Sequence, residues 1–237
     1  MFPVCIEEIQ KELSDISNPQ DAAFLQGYFK TGLGQYGEGD LFRGIRVPAL
    51  RKLSRKYRDI TLDATESLLH SAFHEDRLLA LLILVCKFER ADEAGRSAIY
   101  LKYLESTFFI NNWDLVDLSA PNIVGAYLNG SCRDMLFKLA RSKSLWERRI
   151  AVLATFHFIR NSDFADSLKI AVLLLEDRQD LIHKAVGWML REIGKRDLEA
   201  EEAFLLKHYR QMPRTMLRYA IERFPEDRRM GYLRGEI

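Results

Sequence analysis

Apolar and polar positions alternate along this chain with the period of a helix, almost from end to end. In "IEEIQKELSDI", "LWERRIAVLATFHFI" and "LIHKAVGWMLREIG" the apolar residues recur at i, i+3, i+4 and i+7, which gathers them on one helical face. Alternating strand patterns are absent or brief. Asn18-Pro19, Pro48 and Pro213 each suit a first helical turn, where the missing proline N–H leaves no bond unmade. Short breakers, "RNSD", "EDRQD" and "NGSC", separate the periodic stretches. Helices joined by turns of that length are helical hairpins.

The helical stretches also repeat. "EDRLLALLIL", "ERRIAVLATF", "IHKAVGWML" and "LRYAIERF" each set a basic residue just ahead of an apolar run, with Arg77, Arg149, Lys184 and Arg218 as anchors. Asp117 falls near the place of the missing anchor between Arg77 and Arg149. The period is roughly 32–40 residues, in the range of helical-hairpin repeats. Stacked repeats of this kind predict an all-α solenoid, its inner helices lining a concave face. One region breaks the pattern: residues 27–44 hold six of the thirteen glycines. Within it "GLGQYG" matches G-x-G-x-x-G, but a helical pattern precedes it and no helix follows, so the stretch reads as a flexible connection.

Charge narrows the function classes. Lys+Arg number 35 against 34 Asp+Glu, a net charge of +1, which excludes a uniformly basic nucleic-acid coat but permits a basic groove on one face. Cys5, Cys86 and Cys132 are odd in number and have neither metal nor redox spacing, the usage of a reduced, cytoplasmic protein. The first residues have no signal-peptide pattern, and the longest apolar run, "LLALLILVC", is too short to span a membrane. His70 and His74 have i, i+4 spacing but no third ligand, so no metal is expected. His157, His183 and His208 are isolated, and no serine or cysteine sits in a nucleophile elbow.

Two clusters point to chemistry. "VPALRKLSRKYRD" carries Arg51, Lys52, Arg55, Lys56 and Arg58, a run that serves either as a solvated face or as a phosphate contact. "NNWDLVDLSAPNIVGAYL" opens with Trp113, Asp114 and Asp117, and Trp113 and Asp117 share a helical face. If the helices stack in order, Trp188 and Arg149 reach the same patch. Two aromatic faces around a carboxylate suit a cationic group.

In "FRGIRVPALRKL", "NNWDLVDLSAP", "LWERRIAVL" and "IHKAVGWMLREIGK" the sequence resembles the AlkD-type alkylpurine DNA glycosylases, over nearly the whole chain from Tyr28 onward. The resemblance implies a right-handed-type α-solenoid of HEAT-like hairpin repeats, residues 1–237 forming one domain with duplex DNA in its concave face. It implies hydrolysis of the N-glycosidic bond of N3-methyladenine and N7-methylguanine by a monomer, with no metal or organic cofactor, at an open site. Asp117 matches the catalytic carboxylate, Trp113 and Trp188 the active-site tryptophans, Arg149 the active-site arginine and Tyr28 a nearby tyrosine. Arg149, Arg51, Lys52, Lys184 and Arg218 are then expected on DNA phosphates. Two departures are Asn112, where a second tryptophan is common, and the long connection 31–42. A DNA-structure-binding relative without catalysis, a peptide-binding scaffold and a different hydrolase stay open as alternatives.

Overall fold

The computed structural model describes residues 6–237, so the expectation for Cys5 lies outside the described residues. The chain divides into two compact units, Met1–Ser119 and Ala120–Ile237. Among the described residues the regular structure is helical, with one isolated bridge between Leu41 and Phe73. The first unit holds α1 (Ile6–Asp15), α2 (Pro19–Tyr28), α3 (Val47–Lys56), α4 (Leu62–Leu69), α5 (His74–Arg90), α6 (Glu93–Glu105) and α7 (Trp113–Ser119). The second opens on a π-helical turn (Pro121–Gly125). It continues with α8 (Asp134–Ala140), α9 (Leu145–Ala154), α10 (Phe156–Arg160), α11 (Ala165–Leu173), α12 (Asp180–Gly194), α13 (Leu198–His208), α14 (Arg214–Ala220) and α15 (Glu226–Arg234).

Each unit stacks helices in two layers. In the first, α5 packs against α3 and α7 as well as its sequence neighbours α4 and α6. Residues Leu78 to Leu84 are buried without exception, because a helix with neighbours on every side must be apolar all round. In the second, α12 packs against α9 and α14, and α8 and α13 complete the hairpins. Gly187 permits the α12–α14 contact: a Cβ there would lie 2.4 Å from the Met216 carbonyl oxygen. This two-layer stacking is what hairpin repeats produce.

The repeat recurs at atomic level, in a register the spacing of basic residues misses by one position. Ahead of α5, Ser71 Oγ accepts from Phe73 N, and Arg77 Nη1 donates to the Ser71 carbonyl. Ahead of α9, Ser142 Oγ accepts from Ser144 N, and Arg148 donates to the Ser142 carbonyl. Ahead of α12, Asp177 accepts from Gln179 N, and His183 donates to the Asp177 carbonyl. Arg77 is therefore the counterpart of Arg148 and His183, not of Arg149 and Lys184. The staple closes the carbonyls of a turn that no helix satisfies.

The glycine-rich stretch is more ordered than a flexible connection. Phe29, Gly37, Asp40 and Phe42 are buried, and His74 N donates to the Leu41 carbonyl at 2.8 Å. Gly44 has φ +79° and approaches so closely that a Cβ would meet Asn18 O at 2.0 Å. That contact seats the start of α2, where Asn18 Oδ1 caps Gln20 N and Asp21 N. No residue of α2 itself is buried. In the second unit Gly194 leaves room for the Glu201 carboxylate, which burial and neighbouring Glu202 push up to about 8.

Candidate active site

α7 begins where the chain turns in from Ile110. Asn112 Oδ1 accepts from Trp113 N and Asp114 Oδ1 from Leu115 N, both at 2.9 Å, satisfying donors of the first turn. Trp113 and Asp117, four residues apart, both line a cavity of about 550 Å³ within the first unit. Its walls are largely apolar, with Phe24, Leu25 and Tyr28 from α2, Phe42 from the loop and Leu78 from α5. Asp117 is half-buried there. Its charge adds to burial in pushing the Tyr103 hydroxyl above its ordinary value, against the hydrogen bond to Ser119.

Aromatic rings fix the tryptophan. Trp113 stacks on Phe29 at 5.3 Å and 22°, and meets Tyr28 edge-on at 6.2 Å and 69°. Tyr28 is 56% exposed, so its ring stands at the mouth of the cavity. Phe29 lies 5.2 Å from Phe42, and the His74 ring lies 4.6 Å from Phe42 and 4.9 Å from Phe29. Offset ring pairs of this kind each add about 0.5–1.5 kcal/mol beyond their buried area.

Polar groups from three segments meet beneath these rings. His74 Nε2 donates to Asp114 Oδ2 at 2.8 Å, and Nδ1 faces Asp40 Oδ2 at 3.4 Å. Asp40 also accepts from Arg77 at 2.7 Å, Asn111 at 3.1 Å and Asn112 at 3.5 Å. Burial alone would drive the His74 imidazole down; the Asp114 carboxylate and the hydrogen bonds to Asp114 and Asp40 outweigh it and raise the group to about 9. Burial likewise works against the Asp40 carboxylate, but His74 and Arg77 hold it below its ordinary range. His74 is thus an imidazolium at neutral pH. Next to it, Glu75 accepts from Arg43 N, Gly44 N and Ile45 N at 2.9, 2.8 and 3.1 Å, and Asp76 binds the Arg43 guanidinium at 2.6 and 3.0 Å.

The residues singled out by sequence separate into groups. Trp113, Asp117 and Tyr28 come together around the cavity. Arg51 and Lys52 are exposed on α3 and do not line it. Arg149, Lys184, Trp188 and Arg218 belong to the second unit. There Trp188 Nε1 donates to Glu192 at 3.2 Å and its ring leans on Phe156 at 5.8 Å. Lys184 pairs with Asp180 at 2.8 Å, and Arg218 is exposed. Arg149 departs from the picture of a phosphate-facing side chain: it is 5% exposed and its Nη1 donates to the Leu181 carbonyl at 2.5 Å. The physical reason is its place at the start of α9 beside the first turn of α12, where its buried guanidinium finds the Leu181 carbonyl as an acceptor.

Sequence reasoning missed Asp40, His74, Asn112 and the pairing of Asp114. One signal was there: "HEDR" sets four polar residues in the first turn of α5, ahead of a run of buried apolar residues, and all four are buried. A capping role uses one or two. No helix of the described residues is long and apolar enough to cross a membrane.

The profile of a family described as DNA alkylation repair enzymes matches residues 9–224. A solved structure, described as a predicted DNA alkylation repair enzyme from Enterococcus faecalis, has the same fold. Its TM-score is 0.69 at 17% sequence identity, over 89% of this chain and 97% of that one. No curated protein sequence matches.

Proposed function

Since the chain belongs to the DNA alkylation repair enzyme family, we propose that it is a DNA glycosylase. It hydrolyses the N-glycosidic bond of cationic alkylated purines, N3-methyladenine and N7-methylguanine, in duplex DNA as a step of base excision repair. It acts as a monomer, and residues 1–237 serve as one functional domain. The observation that carries the reading is the placing of the Asp117 carboxylate and the Trp113 ring on the wall of one cavity.

A cationic purine departs as a neutral base, and positive charge passes to the sugar. A fixed carboxylate stabilises that charge more in the transition state than in the ground state, which is the condition for catalysis. Asp117 takes this role and orients the water that adds to C1′. Trp113 and Tyr28 pack against the sugar and its neighbours. In the second unit Trp188 is assigned to the same substrate by the sequence resemblance. Arg51, Lys52, Lys184 and Arg218 neutralise phosphates, which position the duplex and carry no sequence information. Arg149 is given a supporting role here, because a buried guanidinium on a carbonyl orders the start of α12 and its Lys184 and Trp188.

Replacing Asp117 with Asn tests the reading. Single-turnover release of 7-methylguanine from methylated duplex should fall on the order of 100-fold or more, with duplex affinity kept. Wild-type release by the variant would remove Asp117 from the chemistry. Duplex binding by wild type without release of any base would favour a non-catalytic DNA-binding protein.

A further inference from the structure

Asp114 shares the cavity wall with Asp117, yet it is placed differently. Both of its oxygens accept hydrogen bonds: Oδ1 from Leu115 N at 2.9 Å and Oδ2 from His74 Nε2 at 2.8 Å. Oδ2 is thereby engaged by the His74 N–H and Oδ1 by the backbone of its own helix, so neither oxygen is left to face the cavity alone. The charged groups facing His74 are Asp114 from α7, Asp40 from the loop and Arg77 from its own helix, and the Phe29 and Phe42 rings lie against it. Neighbouring Glu75 is turned to the backbone of residues 43–45. The imidazole is therefore enclosed, 1% exposed, and its role in the fold is to join two carboxylates.

We propose that His74 is a positioning residue of the site and the determinant of its restriction to bases that are already cationic; the inference rests on the glycosylase reading. It acts through Asp114. Holding Asp114 fixes the first turn of α7, and with it the directions of Trp113 and Asp117. Occupying Asp114 as an acceptor withholds the acid that a neutral base needs to leave. For a cationic purine no acid is required: the C1′–N bond breaks, its electron pair neutralises the ring, and water adds to C1′ with loss of a proton to solvent. For a neutral purine a carboxylic acid must first give its proton to a ring nitrogen. The bond electrons then go to the departing base, and the proton lost by the incoming water restores the acid.

The test uses His74→Phe, which keeps a ring against Phe29 and Phe42 while leaving Asp114 without its cation, and His74→Gln, which keeps a donor but no charge. Both are compared with wild type by single-turnover release of 7-methylguanine and of 1,N6-ethenoadenine from duplexes between pH 5 and 8. Their folding is checked by circular dichroism. Release of 7-methylguanine should fall about tenfold or more in both through misplacement of α7, with duplex affinity unchanged. Ethenoadenine release should be absent in wild type. It should appear in His74→Phe, growing as the pH falls, and rise on the order of 100-fold above background as expected of a general acid. The double variant His74→Phe/Asp114→Asn should lose that gain, because an amide cannot replace the acid.

Should His74→Phe fail to fold, His74→Leu, which likewise gives Asp114 no donor, carries the test, with ethenoadenine release again growing toward pH 5 and vanishing on Asp114→Asn. A folded variant that releases 7-methylguanine at the wild-type rate and gains nothing on the neutral base overturns this inference alone. A wild-type protein that releases neither base overturns the glycosylase reading and this inference with it. The clamp itself has an activity-independent readout. The His74 imidazole, followed by NMR, should titrate near 9 in wild type and lower in Asp114→Asn; an unchanged titration means that Asp114 does not hold it.

Discussion

The starts of α5 and α9 are built on one plan and put to different uses. Both carry the staple in which a serine caps the turn and an arginine six residues later closes it: Ser71 with Arg77, Ser142 with Arg148. Between them, α9 places Leu145 and Trp146 where α5 places His74 and Glu75. The apolar pair leaves a plain structural junction. The polar pair is buried, and each member reaches out of its own hairpin: His74 to Asp40 and Asp114, Glu75 to the backbone of residues 43–45. A repeat junction becomes a site when buried polar groups replace apolar ones and the surrounding segments supply every partner. Burial without partners would cost several kcal/mol per charge, so the loop and α7 are tied to α5.

The sharpest way to break the contrast is to remove the hub. Asp40→Ala leaves Arg77 and His74 as buried cations lacking their shared carboxylate, and should lower stability by about 3–5 kcal/mol, read from the urea midpoint. A loss below about 1 kcal/mol would mean that the network is no more than a surface ion pair.

Alkaline titration sharpens the same contrast. The His74 imidazole is raised in the folded state, so its stabilisation is complete below its unfolded value, near 6.5, and is lost as pH rises through about 9. In the second unit the Glu201 carboxyl is also raised, so its contribution is complete below the unfolded value, near 4.3, and is lost as pH rises through about 8. Amide exchange resolved by residue should show α13 loosening at lower pH than α5. His74→Phe should remove the alkaline loss in α5 alone, on the order of 3 kcal/mol. Equal pH dependence in variant and wild type would assign the change to another group.

Arg148→Met tests the plain junction. It deletes the staple and the pair with Asp177 at 2.6 Å, both part-buried, and should cost about 1–3 kcal/mol without changing base release. A cost equal to that of Asp40→Ala would erase the difference between the junctions. The smallest effects fall on the surface. Arg51→Glu and Arg218→Glu should shift stability by no more than about 0.5 kcal/mol, yet weaken all duplexes alike and lower the salt slope of affinity by about one. Arg149→Glu should do the reverse and unfold α9 against α12, because its site is buried.

Helices were legible because a 3.6-residue period survives in any amphipathic segment, and the starts at Asn18-Pro19 and before Pro48 follow from local chemistry. The Trp113–Asp117 pair was legible for the same reason, four residues being one helical turn. His74 meeting Asp114 was not, because 40 residues separate them and a helical pattern carries no information on which helix lies beside which. The loop 31–42 misled through its glycines: composition reports a chain that can turn, and says nothing of Asp40 and Phe42 being carried inward by the turns. Arg149 misled because an arginine at a helix start reads as surface until the Leu181 carbonyl is seen beside it. The one-position slip at Arg77 reflects the coarse grain of periodicity, which cannot tell adjacent residues apart when both flank an apolar run.

The outer wall of the cavity is α2, a helix with no buried residue, held at its start by Asn18 and Gly44 and by the Asp21–Arg46 pair. With no buried residue to hold it, its local melting costs little free energy. The floor at His74, by contrast, is buried and tied by hydrogen bonds to Asp40 and Asp114. Such a container has one elastic side and one rigid side. Its capacity is set less by the volume at rest than by how far α2 yields, and a tight-fitting guest would register first as slowed amide exchange along Pro19–Tyr28.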